Sequence, residues 1–303
     1  MKALITGVCG QDGWYLAELL NSKGYEVVGT RRGGAEDKET PPGIRCVYGD
    51  VTDAMCVRDL VEREQPDEIY NLAAVTHVGE SFSAMATCFD VNARGVANCL
   101  DAAARVNAKF YQASTSELFG DSVPPQNERS PMRPRSPYAV AKLAGYWLTR
   151  NYRERGLFAV NGILFNHESP RRGVGFVTQK VVQAAVAIKQ GRQRTVTLGN
   201  LDAARDWGHA KDFVRGMWQF MQHSAPDDYV LATGETRTVR DLCQVAFGLV
   251  GLDWREHVLT SDDFRRPLEV ERLQGDASKA RAIGWKPEIG FEDIVAEMID
   301  AAS

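Results

Sequence analysis

At 303 residues, with 44% apolar and 25% charged side chains, the chain has the composition of an ordinary globular protein, enough for one large domain or two interlocked ones. Its net charge of −4, with Lys and Arg scattered, excludes a basic face for nucleic acid, and no apolar run approaches the roughly 18 residues a membrane span needs. Six cysteines without CxxC spacing and five histidines without metal-ligand spacing predict reduced thiols, a cytoplasmic setting and no metal site, and strand-like residues from Lys2 onward predict no signal peptide.

Short apolar runs alternate with amphipathic stretches through the first half. Strands are expected at 3–6, 26–29, 45–48, 68–72, 110–113 and 159–164, with helices at 14–22, 54–64, 91–106 and 138–155 between them. Such alternation implies right-handed βαβ units and ligands at the strands' C-terminal ends. Beyond Phe165 the pattern weakens into helices at 178–189, 210–221, 239–250 and 291–301 mixed with short strands. The expected architecture is therefore α/β: a Rossmann-type, doubly wound parallel sheet over 1–165, with a smaller, interleaved substrate-binding domain over 166–303. Some segments of that second part are expected to return to the first.

The first strand runs into Gly7-Val-Cys-Gly10-Gln-Asp-Gly13, a GxxGxxG turn that opens a helix. Glycines let the backbone approach a pyrophosphate, and the helix N-terminus offers free N–H groups, so dinucleotide binding is favoured over a merely structural turn. The second strand leads to Arg31-Arg32, about 20 residues past the turn, where an NAD-selective site would carry an acidic residue. Guanidiniums there suit the 2′-phosphate of NADP, the alternative being a solvated loop pair. Asp50 is suited to hold the adenine amine. Leu72, Ala73 and Ala74 end the fourth strand with residues that let a cofactor lie against backbone, unless they are ordinary strand-end packing.

The fifth strand ends in Ala113-Ser-Thr-Ser-Glu117; if it stays extended, Thr115 and Glu117 point the same way. Tyr138 and Lys142 follow four apart on a predicted helix and share a face. Tyr titrates near pH 10, so an ammonium that lowers the phenol by roughly 3 units supplies about 4 kcal/mol of base strength. Spacing alone also fits a surface ring beside a solvated amine. Glu117, likewise, fits either a carbon-acid base or a satisfied helix-start carboxylate.

Thr115, Tyr138 and Lys142 together resemble the extended short-chain dehydrogenases. Longer blocks narrow this: Gly10-Gln-Asp-Gly-Trp-Tyr-Leu-Ala-Glu18, Tyr111-Gln-Ala-Ser-Thr-Ser-Glu117, Arg135-Ser-Pro-Tyr138, Gly162-Ile-Leu-Phe-Asn-His-Glu-Ser-Pro-Arg-Arg-Gly173 and Arg205-Asp-Trp-Gly-His209 resemble the GDP-mannose 4,6-dehydratases. So do Phe264-Arg-Arg-Pro-Leu-Glu269, Gly275-Asp-Ala-Ser-Lys-Ala280 and Gly284-Trp-Lys-Pro287, and the resemblance spans almost the whole chain. It implies a redox-neutral dehydration of GDP-mannose with bound NADP: Tyr138 takes the C4 hydroxyl proton, Glu117 the C5 proton, Thr115 holds the 4-oxygen, and Lys142 polarises Tyr138 and holds the nicotinamide ribose. Asn166, Lys180, Leu198, Gly199, Asn200, Arg205, Arg266 and Glu269 are implied to bind the GDP part, with Ser81 and Ser116 near the sugar. His167 and Arg172 are implied beside the nicotinamide and cofactor phosphates, and Gly7, Gly10, Gln11, Asp12 and Gly13 along the pyrophosphate. Sibling readings are a dehydratase of another GDP-sugar such as a GDP-heptose, or a GDP-4-keto-6-deoxymannose reductase. A reading from another class is an NADP-sensing binding protein. The sequence departs from the family at residues 33–42, short and acidic where a longer basic loop is usual, and at Val75, Thr76 and Gln179. A homodimer through helices 91–106 and 138–155 is expected, with a homotetramer the alternative.

Overall fold

Seven strands lie side by side, all parallel, in the order β3-β2-β1-β4-β5-β6-β11. The first half supplies β1 Lys2–Thr6, α1 Gln11–Ser22, β2 Glu26–Arg31, β3 Arg45–Tyr48, α2 Ala54–Glu64, β4 Glu68–Asn71, α3 Met85–Phe89, α4 Gly95–Val106, β5 Lys109–Ala113, α5 Pro137–Glu154 and β6 Ala159–Leu164. The second half supplies β7 Asn166–Glu168, α6 Val177–Lys189, β8 Val196–Leu198, β9 Ala204–Arg205, β10 Trp207–His209, α7 Ala210–Met221, β11 Asp228–Leu231, β12 Arg237–Thr238, α8 Val239–Leu249, β13 Val258–Thr260, β14 Arg272–Leu273, α9 Ser278–Ala282 and α10 Phe291–Ala302. This computed structural model describes residues 1–34, 38–264 and 268–303.

Alternation along β1 shows how the sheet is covered. Ala3 and Ile5 face a core shared with Leu16 and Leu20 of α1 and Phe213 and Met217 of α7, whereas Leu4 faces Leu60 of α2 and Leu100 of α4. Both faces are thus apolar, as a parallel sheet requires. A separate core joins α6, α8 and α10 through Val181, Leu242, Phe247 and Met298. Although it comes late in the chain, β11 pairs with β6 at the sheet edge, and α7 covers the face beside α1.

The order reverses between β1 and β4, so the crevice for ligands opens above their C-terminal ends. Side chains fix those ends. Thr6 donates to Asn71 Oδ1 at 2.7 Å and accepts from the backbone N–H groups of Leu72 and Ala73, each at 3.1 Å. Asn71 in turn donates to Gln112 at 2.8 Å. Turning the Leu72 N–H to a side chain is why β4 stops at Asn71, one residue short of expectation. The helix expected at 91–106 begins earlier, because α3 passes through a π turn, Asp90–Arg94, into α4. Asn92 in that turn is fully buried; it donates to Val75 O at 2.8 Å and accepts from Val75 N at 3.0 Å, so the π turn clamps the loop after β4.

Candidate active site

A cleft with about 1440 Å³ of empty volume, mouth included, runs from the C-terminal ends of β4 and β5 to β8 and β9. Thr115, Ser116, Glu117, Tyr138 and Lys142 all line it and all are more than nine-tenths buried. Leu72, Ala74, Asn166, His167, Arg172, Leu198, Gly199, Asn200, Arg205 and Glu269 line it as well.

The candidate catalytic groups hang from two anchored elements. Ser136 caps α5 by accepting from Ala139 N at 3.1 Å, and Pro137 takes the first helical position, where no N–H is needed. Tyr138 and Lys142 then follow one turn apart. Thr115 is extended, but Ser116–Leu118 turns into a 3-10 helix, so the strand does not continue as expected. Thr115 caps this turn, accepting from Glu117 N at 3.2 Å. The turn, rather than strand alternation, is what brings both side chains to the cleft.

The electrostatics of the Tyr-Lys pair also depart from expectation. Burial pushes the Tyr138 phenol up; the Thr115 hydrogen bond opposes this and the Glu117 charge adds to it. Lys142 does not lower it: its Nζ donates to Ala113 O at 3.0 Å and stands 6.0 Å from the centre of the Tyr138 ring. Burial has the opposite effect on the amine and brings it down to about 8. Burial thus works against the charged form of both groups.

The glycine turn has the shape a pyrophosphate needs. Gly7 is left-handed at φ +72°, and a Cβ there would stand 3.0 Å from Ala73 Cα. A Cβ on Gly13 would lie 2.6 Å from Val8 Cα, so the third glycine lets α1 pack against the first strand's exit. Gly10 caps α1 without using a side chain, leaving the helix start open to an anion. Gln11 and Asp12 carry a second task. Gln11 donates to His167 O at 3.1 Å and accepts from Ser169 at 2.8 Å, while Asp12 meets His167 Nε2 at 2.8 Å. His167 Nδ1 meets Phe165 O at 2.7 Å, so both ring nitrogens face acceptors. Burial works against charge on either partner, yet the Asp12 carboxylate raises the imidazole and is itself held below its ordinary range. His167 is also stacked on Phe213, with ring centres 4.5 Å apart.

Arg32, Asp50, Ser81 and Lys180 do not line the cleft. Arg32 is exposed just past β2, and Asp50 follows β3 with one oxygen accepting from Thr52 N and Oγ1 at 2.9 and 2.8 Å. Ser81 is fully buried; it donates to Val78 O at 2.6 Å and accepts from Tyr138 N at 3.2 Å, so it seats Tyr138 rather than facing a sugar. Lys180 donates to Thr197 O at 2.7 Å and sits 4.1 Å over the Phe264 ring, with burial lowering its pKa. Arg205 pairs with Glu269 at 3.3 Å. Arg266 lies outside the described residues.

The structure adds groups to which the sequence reading gave no role. Glu168 is buried on the cleft wall, accepting from Thr178 at 2.6 Å and pairing with Arg172 at 3.0 Å. Arg172 also stands 3.6 Å over the Phe176 ring. His77 lines the mouth and meets Gly175 O at 3.3 Å, joining the loop after β4 to the loop before α6. Glu168 sits in the Asn166-His-Glu168 block, where its place beside two assigned residues was the available signal.

The sequence model of the family described as GDP-mannose 4,6 dehydratase matches residues 4–298. The chain is 47% identical to GDP-mannose 4,6 dehydratase 1 of Arabidopsis thaliana, over 98% of this chain and 88% of that one. It is 44% identical to the Homo sapiens GDP-mannose 4,6 dehydratase, over 99% of this chain and 90% of the relative. Among solved structures, Thermus thermophilus UDP-glucose 4-epimerase in complex with NAD superimposes with a TM-score of 0.89 at 24% identity, covering 100% of this chain and 99% of that one. RMD from Pseudomonas aeruginosa, complexed with NADPH, gives 0.85 at 24% identity, covering 99% and 98%. These structural likenesses establish the shared Rossmann-type fold.

Proposed function

The chain belongs to the GDP-mannose 4,6-dehydratase family, and from that premise we propose how its own residues convert GDP-mannose to GDP-4-keto-6-deoxymannose. The enzyme is a hydro-lyase. The observation that carries the mechanism is the presence of Glu117 in one cleft with Thr115, Tyr138 and Lys142.

NADP is the cofactor we assign, held by the glycine turn, Leu72 to Ala74, Lys142, His167 and Arg172, with Asp50 on the adenine and Arg32 on the 2′-phosphate. The open start of α1 and the crowded Gly7 and Gly13 suit a dinucleotide backbone. When bound, NADP⁺ would supply the hydride acceptor for the oxidation at C4 and, once reduced, the donor for the later reduction.

Tyr138 takes the C4 hydroxyl proton and Thr115 orients the 4-oxygen. Lys142, whose Nζ donates to Ala113 O, is assigned to polarise Tyr138 and to hold the nicotinamide ribose. The ketone at C4 acidifies the C5 proton, which Glu117 removes. Glu117 then protonates the departing C6 hydroxyl, which leaves as water, and a proton returns to C5. A reductase has no step for such a carboxylate. Ser116, Asn166, Lys180, Leu198 to Asn200, Arg205, Arg266 and Glu269 are assigned to the substrate; the Arg205 guanidinium suits a diphosphate.

We assign 1–165 as the cofactor-binding body and 166–303 as mainly substrate-binding, with β11 and α7 returning to the sheet. A homodimer through α4 and α5 is supported by Trp147, 53% exposed, and Val140, 41% exposed, on α5. Six free cysteines fit a cytoplasmic enzyme, and no helix among the described residues is long and apolar enough to cross a membrane.

Incubation of the purified chain with GDP-mannose and NADP⁺ tests the reading. A 4-keto-6-deoxy product without accumulation of NADPH is expected. Steady NADPH consumption on the keto sugar without dehydration, or no turnover of GDP-mannose, would overturn it.

A further inference from the structure

We propose that Cys9 in the glycine turn and Cys46 on β3 form an oxidation site, closing to a disulfide when the chain meets a hydroperoxide.

The two thiols are far apart in sequence and are brought together by β2. Val8 donates its N–H to Thr30 O at 3.2 Å, which lays the glycine turn on the end of β2. Gly29 on β2 pairs with Cys46 on β3, and paired residues on adjacent strands point to the same face. On that face a Cβ at Gly29 would lie 2.5 Å from Val8 Cγ1, so the missing side chain is what lets Val8, and with it the glycine turn, settle on the face that Cys46 shares. Cys9 and Cys46 both pack at the edge of the core that contains α1, and both remain partly accessible. By contrast, Cys88, Cys99 and Cys243 are buried.

Burial raises the Cys46 thiol above its ordinary pKa; the adjacent Cys9 thiol, acting as charge and hydrogen-bond partner, adds to this, and Arg31 opposes it. Oxidation therefore quickens as pH rises.

In the reaction, one thiolate attacks the peroxide O–O bond, forming a sulfenic acid and releasing an alkoxide or hydroxide that takes a proton. The second thiolate attacks the sulfenic sulfur and expels hydroxide, which becomes water. In total, two thiols and one hydroperoxide give one disulfide, one alcohol and one water; with hydrogen peroxide the products are the disulfide and two waters.

The link crosses the C-terminal end of β2, between the turn assigned to the pyrophosphate and Arg32, assigned to the 2′-phosphate. Its effect on binding rests on that cofactor reading; its formation does not. The expected consequence is a loss of NADP⁺ affinity of about tenfold or more, reversed by dithiothreitol.

The purified chain, treated with hydrogen peroxide with and without NADP⁺, is digested and read by mass spectrometry. A Cys9–Cys46 linked peptide is expected, formed more slowly when NADP⁺ is present, and absent in Cys46→Ser, whose NADP⁺ binding survives peroxide. No linked peptide, whether the thiols stay intact, Cys56 reacts instead, or oxidation stops at sulfinic acid, overturns the site. A link with unchanged NADP⁺ affinity overturns its blocking role. A reduced chain that binds no NADP⁺ fails the cofactor reading, while the linked peptide still decides the oxidation site.

Discussion

The two walls of the cleft are built on different principles. On the sheet side, the proposed catalytic residues come from the end of a five-residue strand and from α5, an eighteen-residue helix with a capped start. On the far side, Arg205 lies on a two-residue strand, and Glu269 on a connection before another. The first wall is tied into the central sheet: Ser114 N donates to Gly162 O at 2.8 Å, and Tyr146 on α5 donates to Asp228 of β11 at 2.8 Å. The second wall is held by ion pairing and by the α6, α8 and α10 core. A proton-transfer geometry tolerates little movement, whereas a diphosphate grip can adapt, and the difference in construction suits the roles proposed for the two walls.

Substitutions on the rigid wall should therefore act on turnover. Tyr138→Phe keeps the ring and removes the proton carrier, so kcat is expected to fall about 10³-fold with KM changed only a few-fold. A comparable rise in KM with kcat preserved would place Tyr138 on the binding side instead. Steady-state kinetics with GDP-mannose makes the distinction.

The foundation of that wall can be broken without touching the cleft. Asp228 is buried, accepting from Tyr146, from Asn161 at 2.9 Å and from Arg153. Asp228→Ala takes the acceptor from the buried Tyr146 phenol and one partner from Arg153, which keeps Ala159 O and Asp227, and should cost about 3 kcal/mol, seen as a fall in Tm of about 6 °C or more. The protein that remains folded should keep its kcat; an unchanged Tm would mean that β11 is not a foundation.

On the adaptable wall the effect should be smaller and of another kind. Arg205→Ala removes the partner of Glu269 and is expected to raise KM about tenfold with kcat within about threefold. A fall in kcat equal to the loss in kcat/KM would make both walls catalytic and dissolve the contrast.

A further effect concerns Lys142 and pH. Its folded pKa of about 8 lies below the ordinary 10.5, so between these values the unfolded chain binds more protons and stability from this group rises with pH. Relative to Lys142→Met, the wild-type chain should be penalised most below about pH 8, and the difference in denaturant midpoint should narrow as pH rises. A difference that does not change with pH would mean that the amine titrates normally.

The contrast between the walls also explains what could be read from the sequence. Strands such as β1 and β5 stand out as apolar runs between amphipathic helices, and their ends locate the glycine turn and Thr115. Strands of two or three residues, including β9, β12 and β14, carry no period to detect, and the pairing that seats Arg205 beside Glu269 is set by tertiary packing. Thr115 and Glu117 were expected together for a reason that fails, since a 3-10 turn and not an extended strand presents Glu117. The Tyr138 and Lys142 spacing was legible, but its electrostatics were not, because burial depends on neighbours that i,i+4 spacing does not reveal. Ser81 shows the converse: a residue expected at the sugar is used to hold the backbone of Tyr138.

The central claim is that one cleft oxidises, dehydrates and reduces the same sugar, with Tyr138 and Glu117 dividing the proton work. GDP-mannose carrying deuterium at C4, turned over with NADP⁺ and analysed by NMR of the product, tests it most directly. The account predicts deuterium at C6 of a 4-keto-6-deoxy sugar, moved within one molecule, and no such product from Glu117→Gln. Deuterium retained at C4 or lost to solvent, or unchanged product formation by Glu117→Gln, would contradict it.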